Sequence, residues 1–163
     1  MTMIEDFEDK RSLSVGDRFP DFELQDENGD VVRMSDLLGR RIVMFFYPKD
    51  NTSGCTREAK EFSEVRTMLE EKGILLFGTS KDSVRSHRNF IDKQELDVRL
   101  LSDPDHVLME QVGAWGPKIS YGKMTVGAIR STFIISEGGL VENVWRNVRV
   151  PGHVDNVVKS ILG

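Results

Sequence analysis

A continuous apolar run, Ile-Val-Met-Phe-Phe-Tyr at positions 42–47, is the feature that most constrains the fold of this chain. A run without polar alternation predicts a strand buried on both faces, which is typical of parallel sheets covered by helices. We place this strand at residues 41–48. Directly after it, apolar residues recur every three or four positions through residues 54–72, which predicts an amphipathic helix.

The rest of the chain continues this alternation of strands and helices. The further predicted strands cover residues 74–80, 98–102, 131–136 and 140–148, and the further helices cover 83–96, 106–113 and 153–162. An N-terminal hairpin is predicted at residues 22–33 around Asn28-Gly29. Strands separated by helices should pair in parallel, and the hairpin at 131–148 should add antiparallel strands. The predicted fold class is α/β, a central mixed sheet flanked by helices, which fits several folds including the thioredoxin-like one.

Length, charge and cysteine content limit the domain organisation and the partners. The 163 residues suit a single domain at residues 14–163, preceded by a flexible N-terminal extension at 1–13. The net charge is −5 with mixed signs and no basic stripe, so we expect no nucleic acid partner. We also expect no membrane span and no secretory signal. A single cysteine excludes an intramolecular disulfide and fits a reducing, cytoplasmic setting.

That cysteine, Cys55, lies where a buried strand ends, a short polar loop turns and the next helix begins. In open α/β sheets, ligands bind beyond the carboxyl ends of the strands. The first turn of a helix also presents unpaired N–H groups and the positive end of the helix dipole. Both features stabilise a thiolate, so we predict that Cys55 is a reactive nucleophile rather than a small buried apolar residue.

Thiolate formation alone contributes little to such a site. At pH 7, lowering a thiol pKa from about 8.5 to about 6 raises the thiolate fraction roughly thirtyfold. Nucleophilicity falls with the pKa, so roughly tenfold is lost again. The site must therefore also hold the substrate and stabilise the leaving group. The candidates are the Thr52 hydroxyl, the amides of Gly54 and Cys55, and Arg130, which directly precedes a predicted buried strand.

The run Pro48-x-x-x-Thr52-x-x-Cys55 resembles the peroxiredoxin active-site motif. The longer match looks like the Q-type subfamily, also called bacterioferritin comigratory proteins, and it extends over most of the chain. Its further segments are Gly16-Asp17-x-x-Pro20-Asp21-Phe22, Tyr47-Pro48-Lys49-Asp50-Asn51-Thr52, Gly54-Cys55-Thr56-Arg57-Glu58-Ala59, Trp115-Gly116, Gly127-x-x-Arg130-Ser131-Thr132-Phe133 and Gly152-His153-Val154.

This resemblance implies a thioredoxin-like fold and a thiol-dependent peroxidase without a cofactor. Cys55 would reduce hydrogen peroxide and organic hydroperoxides through a sulfenic acid. Thr52 would hydrogen-bond the peroxide, Arg130 would stabilise the thiolate and the departing oxygen, Pro48 would shield the thiol, and Glu58 would orient Arg130. The reductant would be an external thiol or a thioredoxin-type protein, and the enzyme would be a monomer or a weak homodimer.

Two departures from the Q-type pattern bear on the mechanism. Many members carry a resolving cysteine five residues after the first, where this chain has Lys60, and Ser53 replaces an expected proline, which should loosen the helix start. Without a second cysteine, the alternative is a redox-sensing or holdase-like protein that does not sustain turnover.

The three histidines leave two further alternatives, a metal site and a Cys–His hydrolase. His87, His106 and His153 lie far apart in sequence, without cysteines or paired carboxylates at ligand spacing. We expect each of them to be an ordinary polar residue on a surface helix.

Overall fold

Nine strands and five helices make up the part of the chain that the computed structural model describes, residues 13–163. The strands are β1 (Glu23–Gln25), β2 (Val31–Arg33), β3 (Ile42–Phe46), β4 (Leu75–Ser80), β5 (Arg99–Ser102), β6 (Trp115–Ser120), β7 (Lys123–Ala128), β8 (Ser131–Ile135) and β9 (Val141–Trp145). The helices are α1 (Met34–Leu37), α2 (Ser53–Glu71), α3 (Val84–Gln94), α4 (Val107–Val112) and α5 (His153–Leu162). The predicted flexible extension falls almost wholly on residues 1–12, which lie outside the described residues.

Seven strands form the central sheet in the order β2-β1-β5-β4-β3-β8-β9. Strand β3 pairs in parallel with β4, and β4 pairs in parallel with β5. Strands β8 and β9 add antiparallel pairs on the other side of β3, and the β1–β2 hairpin ends the opposite side of the sheet. The predicted mixed sheet, its parallel pairs and its antiparallel hairpins are therefore confirmed.

Strand β3 lies at the centre of the sheet and is fully buried, as its apolar sequence predicts. Its side chains alternate between two apolar cores, one on each face of the sheet. On the face covered by α2, the Phe45 ring stacks on Phe62 of α2 with their centroids 4.4 Å apart. A Cβ at Gly78 in the neighbouring strand would lie 2.6 Å from the Phe45 ring, so glycine is required there. This packing holds α2 at the carboxyl end of β3.

The antiparallel hairpin of β6 and β7 was not predicted from the sequence. It turns at Tyr121 and Gly122, whose positive φ angles of 52° and 78° are typical of a tight hairpin turn. Its paired residues Ile119 and Met124 are 75% and 69% exposed. Because the two strands pair only with each other and bury little apolar surface, they lack the pattern that marks a strand of the central sheet. In the described part of the chain, no helix has the length and apolar character that crossing a membrane requires.

Candidate active site

Cys55 is the third residue of α2, beyond the carboxyl end of β3. Its side chain is only 2% exposed and packs in the apolar core between α2 and the sheet. The N–H groups of Ser53, Gly54 and Cys55 belong to the first helical turn and have no acceptor within the helix. Thr52 precedes this turn in an extended conformation, and its side chain does not cap the helix. The helix starts at Ser53, the position where the family pattern has a proline.

Arg130 reaches the cysteine from the other side of β3. Because β8 runs antiparallel to β3, with Ser131 paired to Phe46, the residue just before β8 lies beyond the carboxyl end of β3. The Arg130 Nη2 donates to Cys55 Sγ over 3.3 Å, and its Nη1 donates to Glu58 Oε1 over 2.6 Å. We call these three residues, Cys55, Glu58 and Arg130, the Arg130 site. The chain order gives no hint of this contact, since Arg130 is 75 residues from Cys55.

Burial and charge oppose each other within the Arg130 site. Glu58 is fully buried, and its burial raises the pKa of the carboxyl to about 7, although the neighbouring Arg130 works in the opposite direction. Burial by itself would lower the pKa of Arg130, but the negative charges of Glu58 and Cys55 outweigh it and raise that pKa. Within residues 13–163, the second carboxylate oxygen of Glu58, Oε2, is buried without a hydrogen-bond partner. The guanidinium is therefore held as a persistent cation against the sulfur.

Gly54 leaves room for this guanidinium. A Cβ at position 54 would lie 3.4 Å from Arg130 Nη2, the same nitrogen that contacts the Cys55 sulfur. Any larger side chain at this position would have to share that space with the arginine.

Thr52 and Pro48 border the site from the loop between β3 and α2. Thr52 is exposed, and its hydroxyl donates to the Lys49 carbonyl over 2.9 Å. Pro48 is half-buried and lines, together with Arg130, a groove of about 570 Å³. The other wall of this groove belongs to the unpredicted hairpin and includes Ile119 and Met124. Of the residues chosen from sequence to accompany Cys55, Glu58 contacts Arg130, Gly54 lies beside it, and Pro48 lines the same groove. Thr52 is not among the residues that line this groove, and its hydroxyl bonds to Lys49 instead.

The expectation that all three histidines are surface residues is wrong for His87 and His153, which are 0% and 4% exposed. His153 packs against Phe62 of α2 and hydrogen-bonds Thr132 Oγ1 over 2.7 Å. Its burial, aided by the positive charge of Arg130, lowers its pKa to about 4. None of the hydrogen bonds of the three histidines in the described structure reaches Cys55. The geometry of a Cys–His hydrolase is therefore not formed.

A buried polar cluster beside the cysteine loop was missed by the sequence analysis. We call it the Asp50 cluster; it consists of Tyr47, Asp50, Asp82, Ser86 and His87. One signal could have revealed it, because His87 shares a helical stripe with Phe90 and Ile91, which the spacing identifies as the buried face of α3. The distances between possible ligand atoms would allow a metal ion to be held by Asp50, Asp82 and His87. Those side-chain atoms, however, already form hydrogen bonds with protein groups.

Comparison with known proteins agrees with this geometry. A family model described as the AhpC/TSA family matches residues 15–144. The chain is 42% identical to the putative peroxiredoxin bcp of Coxiella burnetii, over 90% of this chain and 97% of that protein. It is 37% identical to the peroxiredoxin Bcp of Bacillus subtilis, over 92% of this chain and 96% of that protein.

Solved structures show the same relationship. The bacterioferritin comigratory protein of Xanthomonas campestris, studied as trapped intermediate and ligand complexes for its alkyl peroxide reduction activity, superposes with a TM-score of 0.83. The two sequences are 35% identical, and the match covers 91% of this chain and 95% of that one. The thioredoxin-like architecture is thereby confirmed. With a single cysteine, next to an arginine at the start of a helix, this chain belongs to the AhpC/TSA family and is a peroxiredoxin of the Bcp or Q type that lacks the resolving cysteine.

Proposed function

We propose that this thiol-dependent peroxidase reduces hydrogen peroxide and organic hydroperoxides with Cys55 as the attacking thiolate. The observation that carries the proposal is the contact between Arg130 Nη2 and Cys55 Sγ at 3.3 Å, with Nη1 clamped by the buried Glu58. A guanidinium fixed in this way stabilises negative charge both on the sulfur before the reaction and on the oxygen that leaves it.

In the first step, the Cys55 thiolate attacks one peroxide oxygen and the O–O bond breaks. The sulfur becomes a sulfenic acid, and the other oxygen leaves as hydroxide or alkoxide and takes up a proton to give water or an alcohol. Arg130, which contacts the sulfur, and the amides of Gly54 and Cys55 in the first helical turn would stabilise that oxygen.

Thr52 and Pro48 have supporting roles in this proposal. The Thr52 hydroxyl already donates its proton to the Lys49 carbonyl, so only its lone pairs remain to form a further hydrogen bond. It would therefore accept a hydrogen bond from the peroxide O–H and orient the attacked oxygen. Pro48, on the groove beside Arg130, would limit the access of water to the thiolate.

The sulfenic acid must then be reduced from outside the chain. One thiol attacks the sulfenic sulfur, which releases water and forms a mixed disulfide, and a second thiol reduces that disulfide. Cys55 is the only cysteine, and position 60 holds an exposed lysine. We propose a small thiol or a thioredoxin-type protein as the donor, a cytoplasmic setting that fits the single cysteine, and a monomeric or weakly dimeric enzyme built on residues 14–163.

The test is steady-state peroxide consumption with a thiol or a thioredoxin system, for the wild type and Cys55→Ser side by side. We expect many turnovers per wild-type chain and none for the serine variant, because serine cannot form the thiolate. After one equivalent of peroxide, a sulfenic acid trap should give one adduct, on Cys55. Consumption that stops after a single turnover with every donor would instead support the redox-sensing or holdase-like alternative, which the relatives do not favour.

A further inference from the structure

The Asp50 cluster lies directly beneath the loop that carries Thr52 and leads to Cys55. Tyr47 and His87 are almost completely buried, and Asp50 is 4% exposed. Tyr47 ends the run that begins with β3, Asp82 follows β4, and His87 lies on α3. One short loop is therefore tied to three separate elements of the fold.

The carboxylate of Asp50 accepts three hydrogen bonds within the cluster. The Tyr47 hydroxyl donates to Oδ1 over 2.5 Å, and the Ser86 hydroxyl donates to Oδ2 over 2.7 Å. His87 Nδ1 lies 2.8 Å from the same Oδ2, while His87 Nε2 lies 2.9 Å from the Leu101 carbonyl. Both ring nitrogens of His87 thus lie within hydrogen-bond distance of an oxygen atom.

The backbone of Asp50 is held as well, because its N–H donates to Asp82 Oδ2 over 2.9 Å. Burial, together with the negative charge of Asp50, raises the pKa of Tyr47 well above its ordinary value, so this hydroxyl remains a donor. Asp50 is therefore fixed through its side chain and its main chain. A surface loop without such contacts would sample many conformations.

This anchoring determines where Thr52 lies. Asn51, the only residue between Asp50 and Thr52, takes the left-handed conformation with φ at 63°. The chain turns sharply there, and the Thr52 hydroxyl returns to the Lys49 carbonyl. The Thr52 carbonyl in turn accepts the N–H of Thr56, which closes the first turn of α2. The position of Asp50 is thus transmitted to both the Thr52 hydroxyl and the start of the cysteine helix.

We propose that Asp50 is a positioning residue for the peroxide reaction, and that the Asp50 cluster holds the loop at residues 48–52 in the conformation that completes the peroxide pocket around Cys55. Among residues 13–163, no hydrogen bond of the cluster reaches Cys55. This inference rests on the proposed function, because it assumes that Cys55 reacts with peroxide in this pocket.

The test compares two reactions of the same thiol, its oxidation by hydrogen peroxide and its alkylation by iodoacetamide. Both are measured at a pH where Cys55 is fully ionised, as followed by thiolate absorbance. Oxidation requires the assembled pocket, whereas alkylation requires only an accessible thiolate. We expect Asp50→Asn, which removes the charge at nearly constant volume, to lower the peroxide rate constant about tenfold to a hundredfold. Its alkylation rate should be equal to or greater than that of the wild type.

Tyr47→Phe is measured beside it, because it removes one hydroxyl donor and retains the buried ring. We expect a smaller decrease of the same ratio of oxidation to alkylation, and this variant decides the question if Asp50→Asn fails to fold. Val32→Ala is the control, since it truncates a buried side chain of the edge strand β2, in the core on the opposite face of the sheet from Cys55. It should lower the melting temperature and leave the ratio unchanged.

An unchanged ratio in the folded cluster variants would overturn the inference, because the cluster would then contribute to stability alone. A wild-type protein whose thiol is alkylated but does not react with peroxide would overturn the proposed function instead. The wild-type rate therefore separates the two failures.

Discussion

Two clusters of buried polar side chains lie on opposite sides of β3, and they differ in how completely their hydrogen bonds are satisfied. In the Asp50 cluster, on the side of β4, the Asp50 carboxylate accepts from Tyr47, Ser86 and His87. In the Arg130 site, on the side of β8, Glu58 Oε2 has no partner among the described residues, and the amides at the start of α2 have no helical acceptor.

Under the proposed roles, the satisfied groups hold the loop, and the unsatisfied groups retain hydrogen-bonding capacity close to Cys55. A buried polar group without a partner costs free energy, so such groups persist where a ligand or a reaction uses them. A fully satisfied network instead makes one conformation rigid. The three remaining predictions test this division, from the largest expected effect to the smallest.

The largest effect is expected for Arg130→Met. If the arginine stabilises the leaving oxygen, the rate constant with hydrogen peroxide should fall by about a hundredfold or more, even when both thiols are fully ionised. Stopped-flow oxidation measured across pH separates this loss from any loss of thiolate. Arg41→Met is the matched control, because Arg41 forms a partly exposed ion pair with Glu142 and should leave the rate unchanged. Convergence of the Arg130→Met and wild-type rates at high pH would limit Arg130 to thiolate formation.

A second prediction concerns stability against pH, because two buried groups near the site act in opposite directions. Glu58 has a folded pKa of about 7, above its ordinary 4.5, so the stability that its neutral form provides is lost as the pH rises through 7. His153 has a folded pKa of about 4, below its ordinary 6.5, so stability is lost as the pH falls from 6.5 through 4.

Glu58→Gln and His153→Gln should therefore reveal opposite slopes. Relative to the wild type, the free energy of unfolding of Glu58→Gln should increase from pH 4.5 to 7, and that of His153→Gln should increase as the pH falls from 6.5 to 4. Each change should be on the order of 2 kcal/mol. Denaturant unfolding of the reduced proteins at several pH values measures both. If the free energy of unfolding of both variants depends on pH in the same way as that of the wild type, neither group changes its protonation on folding.

The smallest change in rate is expected for Lys60→Cys, which should alter the product rather than the speed of the first step. Five residues turn a helix by about 500°, so positions 55 and 60 lie roughly 140° apart. An intact α2 cannot bridge them, because a disulfide needs Cα atoms within about 7 Å and converging Cβ atoms. The first turns must open, at the start of the helix where no side chain caps it.

In the wild type, excess peroxide should drive Cys55 to the sulfinic acid, because no internal thiol competes. In Lys60→Cys, peptide mapping without reductant should show a disulfide between positions 55 and 60 and little sulfinic acid. Lys60→Ser is the control and should be overoxidised like the wild type. If Cys55 becomes a sulfinic acid while the engineered thiol at position 60 stays free, the first turns of α2 do not unwind.

The elements that the sequence predicts correctly are those whose stabilising contacts are local in the chain. The apolar run at residues 42–47 predicted the central strand, and the helical spacing after it predicted α2 to within one residue at each end. In both cases the residues that bury the element are close in sequence. The β6–β7 hairpin was not predicted because it contributes little to the core and so lacks a buried apolar pattern. Its residues Ile119 and Met124 nevertheless line the groove beside Arg130.

The sequence by itself determined the α/β class, the place of Cys55 at a helix start and the family. A buried strand, a polar loop and a helix start are local patterns, and the motif around Cys55 is contiguous. Only the tertiary structure decided that Arg130 contacts Cys55 and Glu58. It also decided that His87 is buried against Asp50. The hydrogen bond from the Thr52 hydroxyl to the Lys49 carbonyl was likewise visible only in the structure. The physical reason is the order of strands in the sheet. Pairing β4 and β8 on either side of β3 brings residues from distant parts of the chain to one edge, and no local pattern specifies which side chains then meet.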